Sequence, residues 1–211
     1  VEIAEKIASL MPNKGYDSQR FGWYDVVERV LGEDEKFHRY AWHDRKAWWQ
    51  QEQGILAYLI LQGHMPDKAE YKKYSDESAA YYNAFFLDNN DGGIYFNVLA
   101  NGVPYLMGTE RYKGSHSMSA YHSTELCFLS TVYIDLMIKK RPLDLYFKPL
   151  PNGFKNRELR VEPDILPKGS IKIISCEIDG QKYENFDAEG LTVQLPASDS
   201  RLKVKVTVGT K

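Results

Sequence analysis

The 211-residue sequence is short of the features that mark several large protein classes. Cysteine occurs only twice, as Cys127 in an apolar helical stretch and Cys176 in a strand-like one. Two buried free thiols are therefore expected in place of a disulfide framework. No pair of histidine, cysteine or carboxylate residues has a typical zinc spacing, so no metal is expected. A glycine-rich phosphate loop and a dinucleotide fingerprint are both missing, and no cofactor is expected. No apolar run reaches the roughly 18 residues that a membrane helix needs. Long basic runs are absent too, with 27 basic against 29 acidic residues, so nucleic acid is not an expected partner. The chain opens at Val1 in a helical pattern, without Met or a signal-like charged region. That reads as a cut end and as a cytoplasmic protein.

Aromatic residues are plentiful at 13%, with 15 Tyr, 9 Phe and 4 Trp. Rings at this density suit stacking on the C–H faces of a pyranose, and they suit ordinary core packing equally well. With 43% hydrophobic residues the chain has enough for one medium core or two small ones.

Periodicity orders the first two thirds. Ile3, Ile7 and Leu10 recur at helical spacing up to Pro12. Trp23 to Val30 reads as a short hairpin with Val26, Val27 and Val30 facing a core. A strong helix is predicted from Asp44, a good N-cap, to Gln62, closed by Gly63. A second runs from Pro66 to Leu87, with Tyr71, Tyr74, Tyr81, Tyr82, Phe85 and Phe86 three or four apart on one face, which reads as core. Asn101-Gly102 signals a type I′ turn between Ile94–Val98 and Val103–Leu106. A third helix is predicted from Ser119 to Ile138, where Lys139, Lys140 and Arg141 suit its dipole and Pro142 blocks extension.

After a Pro-rich link, Lys148-Pro149-Leu150-Pro151, the pattern turns to β. Val204, Val206 and Val208 alternate with Lys205 and Thr207, and Ile171–Ile178 and Leu191–Leu195 are further strands. The division expected is 1–144, mainly α, and 145–211, a small antiparallel β-sandwich.

Two clusters carry the chemistry. Lys46, Trp48, Trp49 and Glu52 fall on one predicted helix, with Glu52 four residues from Trp48 and three from Trp49. Rings beside a carboxylate form a platform for a sugar: the rings cover C–H faces and the carboxylate binds hydroxyls. The ordinary alternative is one packed and one solvated tryptophan, since adjacent helix residues point about 100° apart. The second cluster is His116 with His122 and Glu125. His122 opens the last predicted helix, where a histidine can act as general acid or base and a carboxylate three residues on can orient it. A surface or packed histidine is the alternative. Glu52 with Asp88 as a hydrolase pair is a minor one.

Gly15-Tyr16-Asp17, Phe21-Gly22-Trp23, Lys46-x-Trp48-Trp49-x-Gln51-Glu52, Phe86-x-Asp88 with Gly93 and Tyr95, Lys113-Gly114 and Tyr121-His122 occur in this order. Together, over roughly residues 1–140, they resemble the C-terminal part of the N-acylglucosamine 2-epimerase family, which includes cellobiose 2-epimerases and aldose–ketose isomerases. The β-rich tail resembles an extra domain of the wider family. The resemblance implies an (α/α)6 toroid with the sugar site at one end of its central hole, and a mono- or disaccharide substrate. It implies a cofactor-free reaction in which two histidines move protons through an enediolate. His122 matches one of them, with His116 as the other possible match, and Trp48 and Trp49 match the aromatic wall.

Two departures stand beside this. The family's other histidine, which lies in a His-x-x-Glu motif on an earlier helix, has no counterpart here, so a site completed from upstream of Val1 is expected and the isolated chain is expected to be inactive. Where many members carry arginine three residues after the last histidine, this chain has Glu125. A competing reading is a non-catalytic carbohydrate-binding or interaction protein that keeps the aromatic wall. An open third of a toroid also predicts homo-oligomers, through an exposed stripe from Tyr71 to Phe86.

Overall fold

The computed structural model describes residues 2–105, 113, 118–162 and 165–211. It divides into two compact units, Val1–Thr131 and Val132–Lys211.

In the first unit, α1 (Glu2–Leu10) carries Glu2 and Glu5 in its first turn, where acids complement the helix dipole. Pro12 opens a one-turn helix, α2 (Pro12–Gly15). The loop that follows is not the expected valine hairpin. Val26 and Val30 are exposed, and only isolated bridges, Tyr16 to Trp23 and Val27 to Tyr40, cross it. Polar groups hold it instead. The Gln51 amide accepts from Trp23 N and donates to Trp23 O, both at 2.7 Å, and Arg45 Nε donates to Asp25 at 2.8 Å.

Residues 44–47 are strand, not helix. β1 (Ala41–Ala47) pairs antiparallel with β2 (Asn97–Leu99) in the register Arg45 to Leu99, Lys46 to Val98 and Ala47 to Asn97. Ala100 N also donates to Asp44 O, and Asp25 N to Arg45 O. These partners are distant in sequence, which is why local periodicity extended the helix over them. Ala47, in extended conformation, precedes α3 (Trp48–His64).

α3 and α4 (Ala69–Phe85) form an antiparallel pair. The start of α3 meets the end of α4 in a core of Trp48, Ile55, Tyr81, Tyr82 and Phe86, with Phe96 and Val98 from the β2 segment. The other end joins Tyr58, Leu61 and Tyr71 to Trp23 and Ala8. The aromatic stripe of α4 is therefore mostly core, as its spacing suggests, with Tyr71, Tyr81, Tyr82 and Phe86 buried; of the exposed patch also expected there, Phe85 is 39% exposed. Apolar side chains left in solvent include Ile3 and Ile7 of α1, 78% and 56% exposed, and Phe37 of the following loop. After β2, Gly102 alone supplies a positive φ of 85° and Asn101 does not, so the turn is not type I′. α5 (Tyr121–Val132) ends the unit.

The second unit opens with Val132 and a π-helical turn, Tyr133–Ile138. Tyr133 and Leu136 are buried, and Tyr133 Oη donates to Ile165 O at 2.8 Å. These contacts place the turn with the β-rich unit, upstream of the link where the sequence shows its change of pattern. β3 (Leu143–Phe147), β9 (Val204–Thr210), β5 (Ile171–Ile178) and β6 (Gln181–Tyr183) form one antiparallel sheet in that order. A second sheet orders β4 (Glu158–Arg160), β8 (Thr192–Gln194) and β7 (Phe186–Asp187). Alternation sets the inner faces: Val204, Val206 and Val208 are buried, as are Ile171 and Ile173 up to a register shift before Ser175. Cys176 is buried, and burial pushes its thiol up to about 11. Cys127 is exposed, against the expectation of two buried thiols. Among the described residues no helix is long and apolar enough to cross a membrane.

Candidate functional site

Helical spacing presents two neighbouring stripes on α3. Trp49 and Gln53 make one, Trp48 and Glu52 the other, each pair four residues apart. The first turn of α5 answers both stripes with His122, Ser123 and Glu125.

The Trp49 stripe faces the imidazole. The Trp49 and His122 ring centroids lie 6.0 Å apart, tilted by 32°. Gln53 Nε2 is 3.2 Å from His122 Nδ1 and donates to Glu125 Oε2 at 2.8 Å. His122 Nδ1 and Glu125 Oε2 are 3.8 Å apart, an ion-pair distance only when the ring is protonated. Tyr121 sits edge-on to the same ring at 4.9 Å. Trp49 remains 39% exposed, so part of this aromatic group is open to solvent. Trp49 and Gln53 also border an open apolar groove of about 600 Å³ between α1, Trp23 and α3.

The Trp48 stripe is buried. Trp48 packs on Phe96 at 4.4 Å and is 6.4 Å from His122, edge-on. Glu52 is fully enclosed. Its Oε1 accepts from Tyr82 Oη at 2.6 Å and from Ser123 Oγ at 2.7 Å. Glu52 Oε2 and Trp48 Nε1 have no hydrogen-bond partner among the described residues. Burial raises the Glu52 carboxyl above its ordinary range, and the two hydroxyls and His122 offset only part of this. Burial and the Glu52 carboxylate together push the Tyr82 phenol up.

The predicted residues thus separate. Trp48, Trp49, Glu52 and His122 are brought together, with only Trp49 presenting a substantially open surface. Lys46 is not brought to them. It lies on β1, wholly buried, with its ammonium 2.9 Å from Asp17 Oδ2 and 4.0 Å over the Tyr81 ring. Burial depresses it to about 8, against the pull of Asp17. His116 lies outside the described residues. Asp88 holds its own loop, accepting from Lys113 Nζ at 2.7 Å and from Asn90 N at 2.9 Å. Among the described residues no group of three or more His, Cys, Asp or Glu side chains is placed to hold a metal ion.

Gln53, Ser123 and Tyr82 complete the cluster and were not singled out from sequence. Gln53 shares the Trp49 stripe, which was a usable signal. Ser123 and Tyr82 depend on the packing of α3 against α5 and α4, which spacing along one helix does not reveal.

No family model matches the chain, and no curated protein matches it. Its structure is similar to solved structures of a sugar epimerase from a ruminal bacterium and a D-mannose isomerase. The first has a TM-score of 0.47 and 15% identity over 64% of this chain and 32% of that one. The second has a TM-score of 0.47 and 18% identity over 61% and 29%. A cellobiose 2-epimerase from Bacillus thermoamylovorans B4167 follows at 0.37 and 15%, over 62% and 47%. With every TM-score below one half, these likenesses carry no argument about fold or activity. The chain spans about a third to a half of the length of these structures.

Proposed function

We propose that this chain is part of a sugar 2-epimerase or aldose–ketose isomerase of the N-acylglucosamine 2-epimerase kind, its first unit contributing to an (α/α)6 toroid and its second a β-rich accessory domain. The observation that carries this reading is the junction of α3 and α5. There an open indole, Trp49, and an imidazole, His122, stand side by side above a buried carboxylate, Glu52. A pyranose or its open chain stacks a C–H face on Trp49. That places its carbonyl end beside His122, the group assigned to the chemistry.

The reaction is proton movement at the carbon next to the carbonyl, through an enediolate. Removing that proton spreads negative charge onto the carbonyl oxygen, and a positioned N–H or imidazole lowers the barrier by meeting that charge. Protonation on the opposite face gives the epimer, and protonation at the neighbouring carbon gives the ketose. Among the described histidines, His122 is the one that ring contacts place in this cluster. The group that takes the carbon-bound proton is then a different one, either His116, outside the described residues, or a residue elsewhere in the protein.

The test is deuterium wash-in. The protein carrying this chain, incubated with mono- and disaccharides in deuterium oxide, should take up deuterium at the carbon beside the carbonyl. His122→Ala should abolish the uptake. Uptake unchanged by that variant rules out the assignment.

With one histidine in the cluster among the described residues, a second reading is a carbohydrate-binding protein without turnover. Saturable quenching of tryptophan fluorescence by sugars, with no wash-in, would select it.

A further inference from the structure

We infer that Gln53, aimed by Glu125, holds neutral His122 as its Nε2–H tautomer, so that the imidazole offers the sugar an N–H for its oxygen and not a lone pair for its carbon-bound proton. The identity of the ligand rests on the reading above; the tautomer rests on geometry alone.

A carboxylate only accepts hydrogen bonds, so the Gln53 atom 2.8 Å from Glu125 Oε2 is the amide nitrogen. Turning the amide over would set its carbonyl oxygen against the carboxylate, two acceptors face to face. The same nitrogen lies 3.2 Å from His122 Nδ1. An amide NH2 has two hydrogens, one for each neighbour. Nδ1 must then supply the lone pair. A neutral imidazole has a single N–H, which is left to Nε2 across the ring. Glu125 does not receive a hydrogen bond from Nδ1 directly, because 3.8 Å is too long for one.

The consequence concerns chemistry. With its proton on Nε2, the ring has no free lone pair on the side away from Gln53. It is suited to hydrogen-bond the carbonyl oxygen and to tighten that bond as the oxygen becomes enediolate-like. In this role the N–H bond stays intact, and the carbon-bound proton goes to a different group. Gln53 is a positioning residue: it acts through the His122 ring. Glu125, at the place where many members of the resembled family carry arginine, orients Gln53 in turn.

The experiment is long-range proton–nitrogen correlation NMR on the 15N-labelled protein at mildly alkaline pH. His122 is assigned by loss of its signals in His122→Gln. The expected pattern is that of the Nε2–H form. A dominant Nδ1–H form, or an even mixture, overturns the inference. Gln53→Leu and Glu125→Gln should each bring the two forms towards equality. An unchanged pattern in both variants removes Gln53 from the role, and the wild-type spectrum decides alone if neither variant folds. An Nε2–H pattern without deuterium wash-in defeats the sugar reading and leaves the tautomer standing. Wash-in with an Nδ1–H pattern does the reverse.

Discussion

Ser123 Oγ donates to Glu52 Oε1 across 2.7 Å, tying the first turn of α5 to the first half of α3. The bond crosses 71 residues of sequence, and its acceptor also takes the Tyr82 hydroxyl. One carboxylate oxygen thus gathers three helices, while its twin, Oε2, has no partner among the described residues. A buried carboxylate satisfied on one side only is costly to keep ionised.

Glu52→Gln should therefore stabilise the fold at neutral pH. The folded-state pKa of Glu52 lies above the unfolded value because burial disfavours the anion. Its favourable contribution is complete below the ordinary carboxylate range and is lost as pH rises through the raised value. Gln keeps the Oε1 acceptor without the charge. Thermal melts at pH 7 should show a midpoint several degrees higher, and the gain should shrink towards about pH 3, below the ordinary carboxylate range, where both states hold the proton. An equal gain at both pH values would show that charge burial is not the cause. If Glu52 also serves the reaction, activity falls while stability rises.

Trp48 and Trp49 are adjacent yet should respond oppositely to truncation. Trp48 is 3% exposed and packs on Phe96. Trp48→Ala should cost about 3–5 kcal/mol of stability, as for other large aromatic deletions in cores. Trp49→Ala removes a half-open ring and should cost under about 1 kcal/mol. Its effect should appear in ligand binding, weakened about tenfold if the ring is the sugar platform. Urea titrations and sugar titrations on the two variants separate these outcomes. A Trp49→Ala protein that binds sugar normally removes the platform from the site.

Gly54→Ala runs against helix propensity. In an exposed helix interior Ala is better than Gly by about 1 kcal/mol. Here a Cβ at Gly54 would collide with Trp23 Nε1 and Cδ1. That indole cannot easily yield, because it donates to Ser78 Oγ at 2.9 Å and stacks on Tyr58 at 5.3 Å. Overpacking of this kind costs about 1–3 kcal/mol. A denaturation midpoint higher than wild type would mean that the loop carrying Trp23 moves freely.

The sequence made the helical pair and the later strands legible because each buries its own periodic face. Val204, Val206 and Val208 announced β9, and Tyr71, Tyr81 and Tyr82 announced α4. What stayed hidden depends on partners far along the chain. Asp44 to Ala47 became strand through β2, and the loop around Trp23 is held by Gln51, 28 residues further along the chain. At the candidate site, Trp48 and Glu52 could be grouped with Trp49 from spacing. Which ring stays open is decided by Phe96 and α4. Lys46 shows the limit most plainly, since its nearness in sequence to Trp48 says nothing of the turn from strand to helix between them.

Lys46 and Asp17 give a predicted loss as large as that of Trp48→Ala. Both side chains are almost wholly enclosed, and Lys46 Nζ donates to Asp17 Oδ2 at 2.9 Å and also to the Phe21 carbonyl. Burial alone would raise the Asp17 carboxyl; the Lys46 ammonium and the N–H groups of Gln19 and Arg20 bring it below its ordinary range. Lys46→Met leaves that carboxylate buried without a counter-ion, a change that typically costs about 3–5 kcal/mol. Lys46→Met with Asp17→Asn should recover part of the loss, because Asn keeps an oxygen for Gln19 N and Arg20 N, which Asp17 Oδ1 now accepts at 3.0 and 3.1 Å. The depressed Asp17 pKa contributes stability above the ordinary carboxylate range, and that contribution is lost as pH falls through the depressed value. Wild type should accordingly lose stability to acid more steeply than the double variant. Equal acid sensitivity, with a single variant as stable as wild type, would mean that the pair is solvated in solution and does not anchor β1 to the Asp17 loop.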